Sequence, residues 1–272
     1  MTAPNTLTTA QLMRLIGTPT APVLIDICID EDFAEDPRLI PTSFRHPFRT
    51  IETLVPALRD RKVIIVCQKG KKLSQGAMAL LRSHGIDAEL LEGGIFAWRD
   101  ARGPRVRADA LPKRGGLWVT RHRPKIDRIA CPWLIRRFID PDARFLYVGP
   151  SEVLAVAEKF DAIPFDVEGA ALSHAKDTCS FDALLAHFDI STPALATMAD
   201  VIRAADGTPH AVAPKAAGLL AISLGLSRMY KDDLEQLDAA MPIYDALYRW
   251  ARDAKGETHD WDAHAGKVAG NV

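Results

Sequence analysis

Four consecutive apolar residues, Val63-Ile64-Ile65-Val66, end on a cysteine, and this junction restricts the chain's possible folds more than any other stretch. A β-branched run of this kind reads as a buried strand. Cys67 then opens a short segment, Gln68-Lys69-Gly70-Lys71-Lys72-Leu73-Ser74, with one glycine and three lysines. A helical pattern follows from Gln75 to His84 and stops at Gly85. A strand that delivers a cysteine into a tight loop at a helix start suits an anionic sulfur. The unpaired N–H groups and the positive dipole end of the helix favour negative charge there, and the lysines act in the same direction. The spacing therefore predicts a reactive thiolate at Cys67 in a surface loop. The competing reading is a strand-end cysteine that packs as a small apolar side chain.

Strands and helices alternate around this junction. Thr8 or Thr9 can cap a helix through Leu12 to Ile16, and Pro22-Val23-Leu24-Ile25-Asp26 reads as a strand. Ile51 to Leu58 is helical, Lys62 to Val66 a strand, Ala88 to Leu91 a further strand closed by Gly93-Gly94, and Ile95 to Arg99 begins a helix. Strands separated by helices imply a parallel sheet, and ligands of such sheets bind at the carboxyl ends of the strands, where Cys67 falls. From Arg102 to Gly116, glycine, proline and basic residues dominate without apolar periodicity, which marks a linker. Beyond it come a strand at Leu117 to Thr120, a helix from Ile126 to Ile139, a strand at Arg144 to Val148, a helix from Ser151 to Phe160 and extended residues from Ile163 to Val167. The remainder, from Phe181 to Asp253, patterns almost entirely as helix. The expected division is 1–103, a linker at 104–116, a second unit at 117–254 and a flexible tail at 255–272. The expected class is α/β: a parallel sheet flanked by helices, then an α-rich domain with a small sheet.

With 272 residues, 48% of them hydrophobic and 25% charged, the chain has the size of about two domains and an ordinary globular composition. A formal net charge of -1 supplies no global field, so neither nucleic acid nor membrane is expected as a partner. No apolar run reaches the length of a membrane span, and Met1 to Leu7 lacks the basic start and apolar core of a signal peptide. Cys28, Cys67, Cys131 and Cys179 lie far apart, which points to free thiols in a reducing cytoplasm.

Four stretches then occur in a telling order: Pro22 to Asp26, Ile40-Pro41, Cys67-Gln68-Lys69-Gly70-Lys71-Lys72, and Leu91-Glu92-Gly93-Gly94-Ile95-Phe96-Ala97-Trp98. Across residues 7–102 the chain resembles the rhodanese (sulfurtransferase) domain family. The resemblance implies that Cys67 accepts a sulfane sulfur, becomes a persulfide and passes the sulfur on, with no cofactor required. It implies a substrate-binding loop of Gln68, Lys69, Gly70, Lys71, Lys72, Leu73 and Ser74, with Asp26 in support. The implied partners are a small thiosulfate-like donor and a thiol or protein acceptor. Three positions depart from the family pattern. Lys72 stands where arginine is common, offering a point charge in place of a bidentate fork. Leu73 takes a place where a small or hydroxyl residue is usual, and Ser74 comes one step later. Cys28 stands where an arginine is usual; close to Cys67 it could resolve a persulfide or sulfenate, and otherwise it is a structural thiol.

A second set of stretches comprises Trp118 to Arg121, Lys125 to Asp140, His174 to Asp182, Arg203 to Asp206 and Tyr244 to Trp250. These resemble the C-terminal domain of the ChrB chromate-resistance family over residues 117–252. The resemblance implies a link to chromate tolerance without supplying an activity. A rhodanese-like unit in the place of a DNA-binding region argues against a repressor. In this unit Asp127, Arg128, His174 and Cys179 form a candidate site. Asp127-Arg128 reads as a buried ion pair at a helix start or as a binding element. Arg121, Arg123, Lys125, Arg128, Arg136 and Arg137 are either a solvated face or a receptor for an oxyanion such as chromate. His174 and Cys179 carry metal-ligand atoms, with Glu168, Asp182 and His187 nearby, or serve as acid, base or anion contacts; the metal stays open. The leading function is sulfur transfer. The alternatives are a phosphatase or arsenate reductase, which usually wants an arginine and a longer loop, and a non-catalytic oxyanion or redox sensor or chromate-responsive regulator.

Overall fold

A computed structural model describes residues 5–175, 178–207 and 215–257. The first unit runs β1 (Thr6–Leu7), α1 (Thr9–Leu15), β2 (Val23–Asp26), α2 (Asp30–Ala34), β3 (Arg38–Leu39), β4 (Phe44–Arg45), α3 (Val55–Leu58), β5 (Val63–Val66), α4 (Lys72–Ser83), β6 (Ala88–Leu91) and α5 (Gly94–Asp100). Five strands form one sheet in the order β1-β6-β5-β2-β4, with every pairing parallel. α1 begins where the sequence suggested, because Thr8 and Gln11 close a reciprocal capping box.

All four residues of β5 are buried, and successive residues face two different cores. Ile64 and Val66 join one cluster, whereas Val63, Ile65 and Cys67 join another with Ala77 and Leu81 of α4. The register sets Asp26 beside Val66, so β2 and β5 end together. α4 starts at Lys72, earlier than the expected Gln75, because the fully buried Ser74 extends the inward stripe of Ala77 and Leu81 by one more turn.

After a connecting segment with β7 (Val106–Arg107), the second unit contains β8 (Leu117–Arg121), α6 (Asp127–Leu134), β9 (Arg144–Val148), α7 (Val153–Phe160), β10 (Ala162–Pro164), α8 (Ser180–Phe188), α9 (Pro193–Asp206), α10 (Ala216–Met229) and α11 (Asp233–Arg249). Its small parallel sheet has the order β10-β8-β9. α6 carries Pro132 in its interior, and a π-helical turn, Ile135–Ile139, follows it. Proline has no N–H for the Arg128 carbonyl, and the Tyr147 hydroxyl donates there instead at 2.9 Å.

The segment between the units is anchored. β7 pairs antiparallel with β3, Val106 is fully buried, and Trp98 Nε1 donates to the Pro104 carbonyl at 2.9 Å. One continuous apolar cluster holds Leu12, Ile16 and Trp98 together with Trp133, Phe138 and Tyr248. The Thr42 amide donates to the Phe138 carbonyl at 3.1 Å, and Arg38 pairs with Asp189 at 2.7 Å. Gly17, at φ 75°, lies so close to Phe138 and Tyr248 that a Cβ there would meet Phe138 at 2.5 Å. Beyond residue 257 the expected tail lies outside the described residues. Among the described residues no helix is long and apolar enough to cross a membrane.

Candidate functional site

The loop after β5 is shaped by its own backbone. The Cys67 carbonyl accepts from the Ile95 amide at 3.0 Å, and the Gln68 carbonyl accepts from the Phe96 amide at 3.1 Å. These bonds lay the loop against Gly93-Gly94, the start of α5. Gly70 and Gly94 both have φ 62°, and a Cβ on Gly94 would sit 2.1 Å from the Cys67 oxygen and 2.5 Å from the Gly70 nitrogen. Among the described residues, the backbone amides from Gln68 to Ser74 donate to no carbonyl or side chain; the first bond of the new helix runs from Gln75 to the Lys71 carbonyl. The arrangement is a curl of unpaired donors that opens into the amino end of α4, which is favourable for an anion.

Cys67 itself is buried, at 5% exposure, and not on the surface as expected. It continues the inward alternation of Val63 and Ile65. Exposure belongs to the rim, where Lys69, Lys71 and Lys72 face solvent. Lys69 Nζ lies 5.9 Å from the centroid of the Phe96 ring. Lys72, Leu73 and Ser74 belong to the first turn of α4 and not to the loop. A cation at this helix end costs about 0.3–1 kcal/mol against the dipole, a penalty that a bound anion would offset.

Asp26 acts differently from its expected role. It is 3% exposed, burial raises its carboxyl above the usual range, and its Oδ1 accepts from the Cys28 amide at 2.8 Å. The loop is braced instead by Glu35, a residue the sequence did not single out: Gln68 Nε2 donates to its Oε2 at 3.1 Å. Cys28 is buried at the carboxyl end of β2. Burial pushes its thiol well up, Asp26 adds to this, and Cys67 is close enough to contribute. A neutral thiol beside the Cys67 strand end is the outcome.

In the second unit Asp127, Arg128 and Cys179 are brought together, and Asp166, Ser180, Asp206 and Arg121 join them. Asp127 does not pair with Arg128. Its Oδ2 accepts from the Ser180 amide at 2.5 Å, and its Oδ1 is buried without a partner. Burial, with Asp206 and Asp166 adding to it, pushes the Asp127 carboxyl up to about 7. Arg128 pairs with Asp166 at 3.3 Å, where Arg121 also binds at 2.9 Å and the Ser180 hydroxyl donates at 2.8 Å. Asp182 takes both prongs of Arg203, at 2.8 and 2.9 Å, and the Cys179 amide. Burial works to raise its carboxyl, but these donors hold it below the usual range.

The basic residues do not form one anion-binding face. Arg123 donates to the Tyr230 carbonyl, Arg136 to Asp238, and Arg137 grips Asp245 through two bonds of 2.8 Å. His174 is exposed, and burial raises the neighbouring Asp206 carboxyl, which His174 only partly opposes; Cys179 is buried and burial raises its thiol. Among the described residues no group of three or more His, Cys, Asp or Glu side chains is arranged to hold a metal ion.

The molecule is thus an α/β sheet unit with a strand-end cysteine cradle, fused to a helix-rich unit with a buried charge cluster. Residues 8–101 match the family model of the rhodanese-like domain, and residues 118–251 match that of the ChrB C-terminal domain. The chain therefore joins a rhodanese-like domain to a ChrB C-terminal domain. Protein ChrB of Cupriavidus metallidurans is 38% identical over 145 residues, which are 52% of this chain and 43% of that protein. The match thus spans less than half of that relative's length. A rhodanese-like domain protein from Staphylococcus aureus is 30% identical, covering 35% of this chain and 90% of that one, with a TM-score of 0.31. A Rhodopseudomonas palustris protein of unknown function, described as a possible tyrosine phosphatase, is 29% identical over 37% of this chain and 83% of its own, with a TM-score of 0.32.

Proposed function

We propose that the protein is a sulfurtransferase in which Cys67 carries the sulfur as a persulfide. The observation behind this reading is the run of unpaired amides from Gln68 to Ser74 at the amino end of α4, directly after Cys67. The Cys67 thiolate attacks the outer sulfur of a thiosulfate-like donor. The donor's S–S bond breaks, sulfite leaves with the electron pair, and Cys67–S–S⁻ remains. A thiol or protein acceptor then takes the outer sulfur and restores the thiolate. The unpaired amides offset the negative charge, and Lys69, Lys71 and Lys72 draw the anionic donor to the mouth. This chemistry suits a reducing cytoplasm, where the four free cysteines would persist.

The ChrB C-terminal domain leads us to link this activity to chromate resistance. The arginines of that domain are engaged by carboxylates and carbonyls, which counts against an oxyanion sensor built on them. Intact mass after incubation with thiosulfate tests the central step. The wild-type chain should gain one sulfur on the peptide holding Cys67, and Cys67→Ser should gain none and lose turnover. Turnover that survives in Cys67→Ser would remove the assignment.

A further inference from the structure

Ser74 carries an unexplained polar group. The residue is fully buried, and its Oγ is among the buried atoms with no hydrogen-bond partner. A hydroxyl taken from water without a partner is costly, by about 1–3 kcal/mol, and such groups call for an explanation. The usual escape for a serine in a helix is a bond to the carbonyl four residues back, here Gly70, but no such bond is made. The position argues against accident. Ser74, Ala77 and Leu81 form the inward stripe of α4, and Ala77 and Leu81 lie in the same apolar cluster as Cys67. The loop returns the chain from the carboxyl end of β5 to the amino end of α4, so Ser74 stands at the loop end of that stripe, its member nearest to Cys67 along the chain. Its own amide is one of the unpaired donors.

We propose that the Ser74 hydroxyl is a donor reserved for the sulfur that Cys67 acquires. In the resting protein the hydroxyl has nothing to bond. When Cys67–S⁻ takes the outer sulfur of thiosulfate and sulfite departs, the terminal sulfur of Cys67–S–S⁻ bears the charge one bond farther out, and Ser74 Oγ donates to it. No proton is transferred. The assignment rests on the sulfurtransferase reading and adds a residue to it. Leu73 carries no hydroxyl and cannot supply this bond.

Ser74→Ala removes a buried, unpaired hydroxyl, so the variant should fold as stably as wild type or more so. Rapid-quench mass measurement of sulfur uptake from thiosulfate should show roughly a tenfold or greater loss of rate in Ser74→Ala, the scale of a hydrogen bond to a charged group. Ser74→Thr, which keeps the hydroxyl, should recover most of it. Uptake by Ser74→Ala at the wild-type rate, or failure of Ser74→Thr to recover any, would overturn the role of Ser74 and leave Cys67 chemistry standing. A wild-type protein that takes up no sulfur would overturn the sulfurtransferase reading, and this assignment with it.

Discussion

Around Cys67 the hydrogen-bond donors are backbone amides and stand unpaired, whereas around Asp127 they are mostly side chains and nearly all are engaged. The first region is held by glycine geometry and two backbone bonds to α5. The second is held by guanidinium forks, a serine hydroxyl and helix-start amides closing on carboxylates. Free donors in a rigid cradle can exchange one anion for another. Donors already committed to buried carboxylates give rigidity and leave little to offer a ligand. Fold position alone does not separate the two, since both lie where strands or helices converge; the state of the donors does.

The largest test of this contrast is Gly94→Ala. The added carbon meets backbone at 2.1 Å from the Cys67 oxygen, at a residue with φ 62°, so the cradle must open. A loss of more than about 3 kcal/mol of unfolding free energy is expected in urea titrations, together with sulfur uptake below detection. Asp166→Ala should cost about 3 kcal/mol by the same titration, because Arg128 and the Ser180 hydroxyl lose their partner. Arg121, about a third exposed, can turn to water and keeps the figure from rising further. Cys67 sulfur uptake should survive at denaturant concentrations where the protein stays folded.

Asp127 gives a pH test. Its folded value of about 7 lies above the ordinary 3.8, so the folded state holds this proton more tightly than the unfolded chain. The contribution of this group to stability is therefore full below about pH 4, declines as pH rises from about 4 to about 7, and is level above that. Asp127→Asn cannot ionise, so its stability relative to wild type should climb across that window. Melting temperatures at pH 5 and pH 8 measure it, and a constant difference would refute it. Glu35→Ala has the smallest expected effect. Glu35 is exposed, so losing its bond to Gln68 should lower stability by less than about 1 kcal/mol. If the cradle is as backbone-built as described, sulfur uptake should fall only modestly.

Much of the first region was legible because its signals are local. A β-branched run, a glycine-rich turn and a capping threonine each act within a few residues, and β5, β6 and α1 fell where they pointed. The burial of Cys67 followed from the same alternation but was obscured by the lysines beside it. β3, β4 and β7 are two-residue strands, too short to carry any periodicity. In the second region Asp127, Arg128 and Cys179 stood out, whereas Asp166 and Asp206 did not. Nothing in the local sequence says that residues so far apart meet; tertiary packing alone joins them.

The apolar cluster that runs from Leu12 and Trp98 to Trp133 and Tyr248 has a practical consequence for anyone wishing to study one half at a time. Severing the chain within 104–116 would strip β7 from β3 and bare large aromatic surfaces on both fragments. Each fragment should then precipitate or stick to its own kind, and mixing the two should restore solubility.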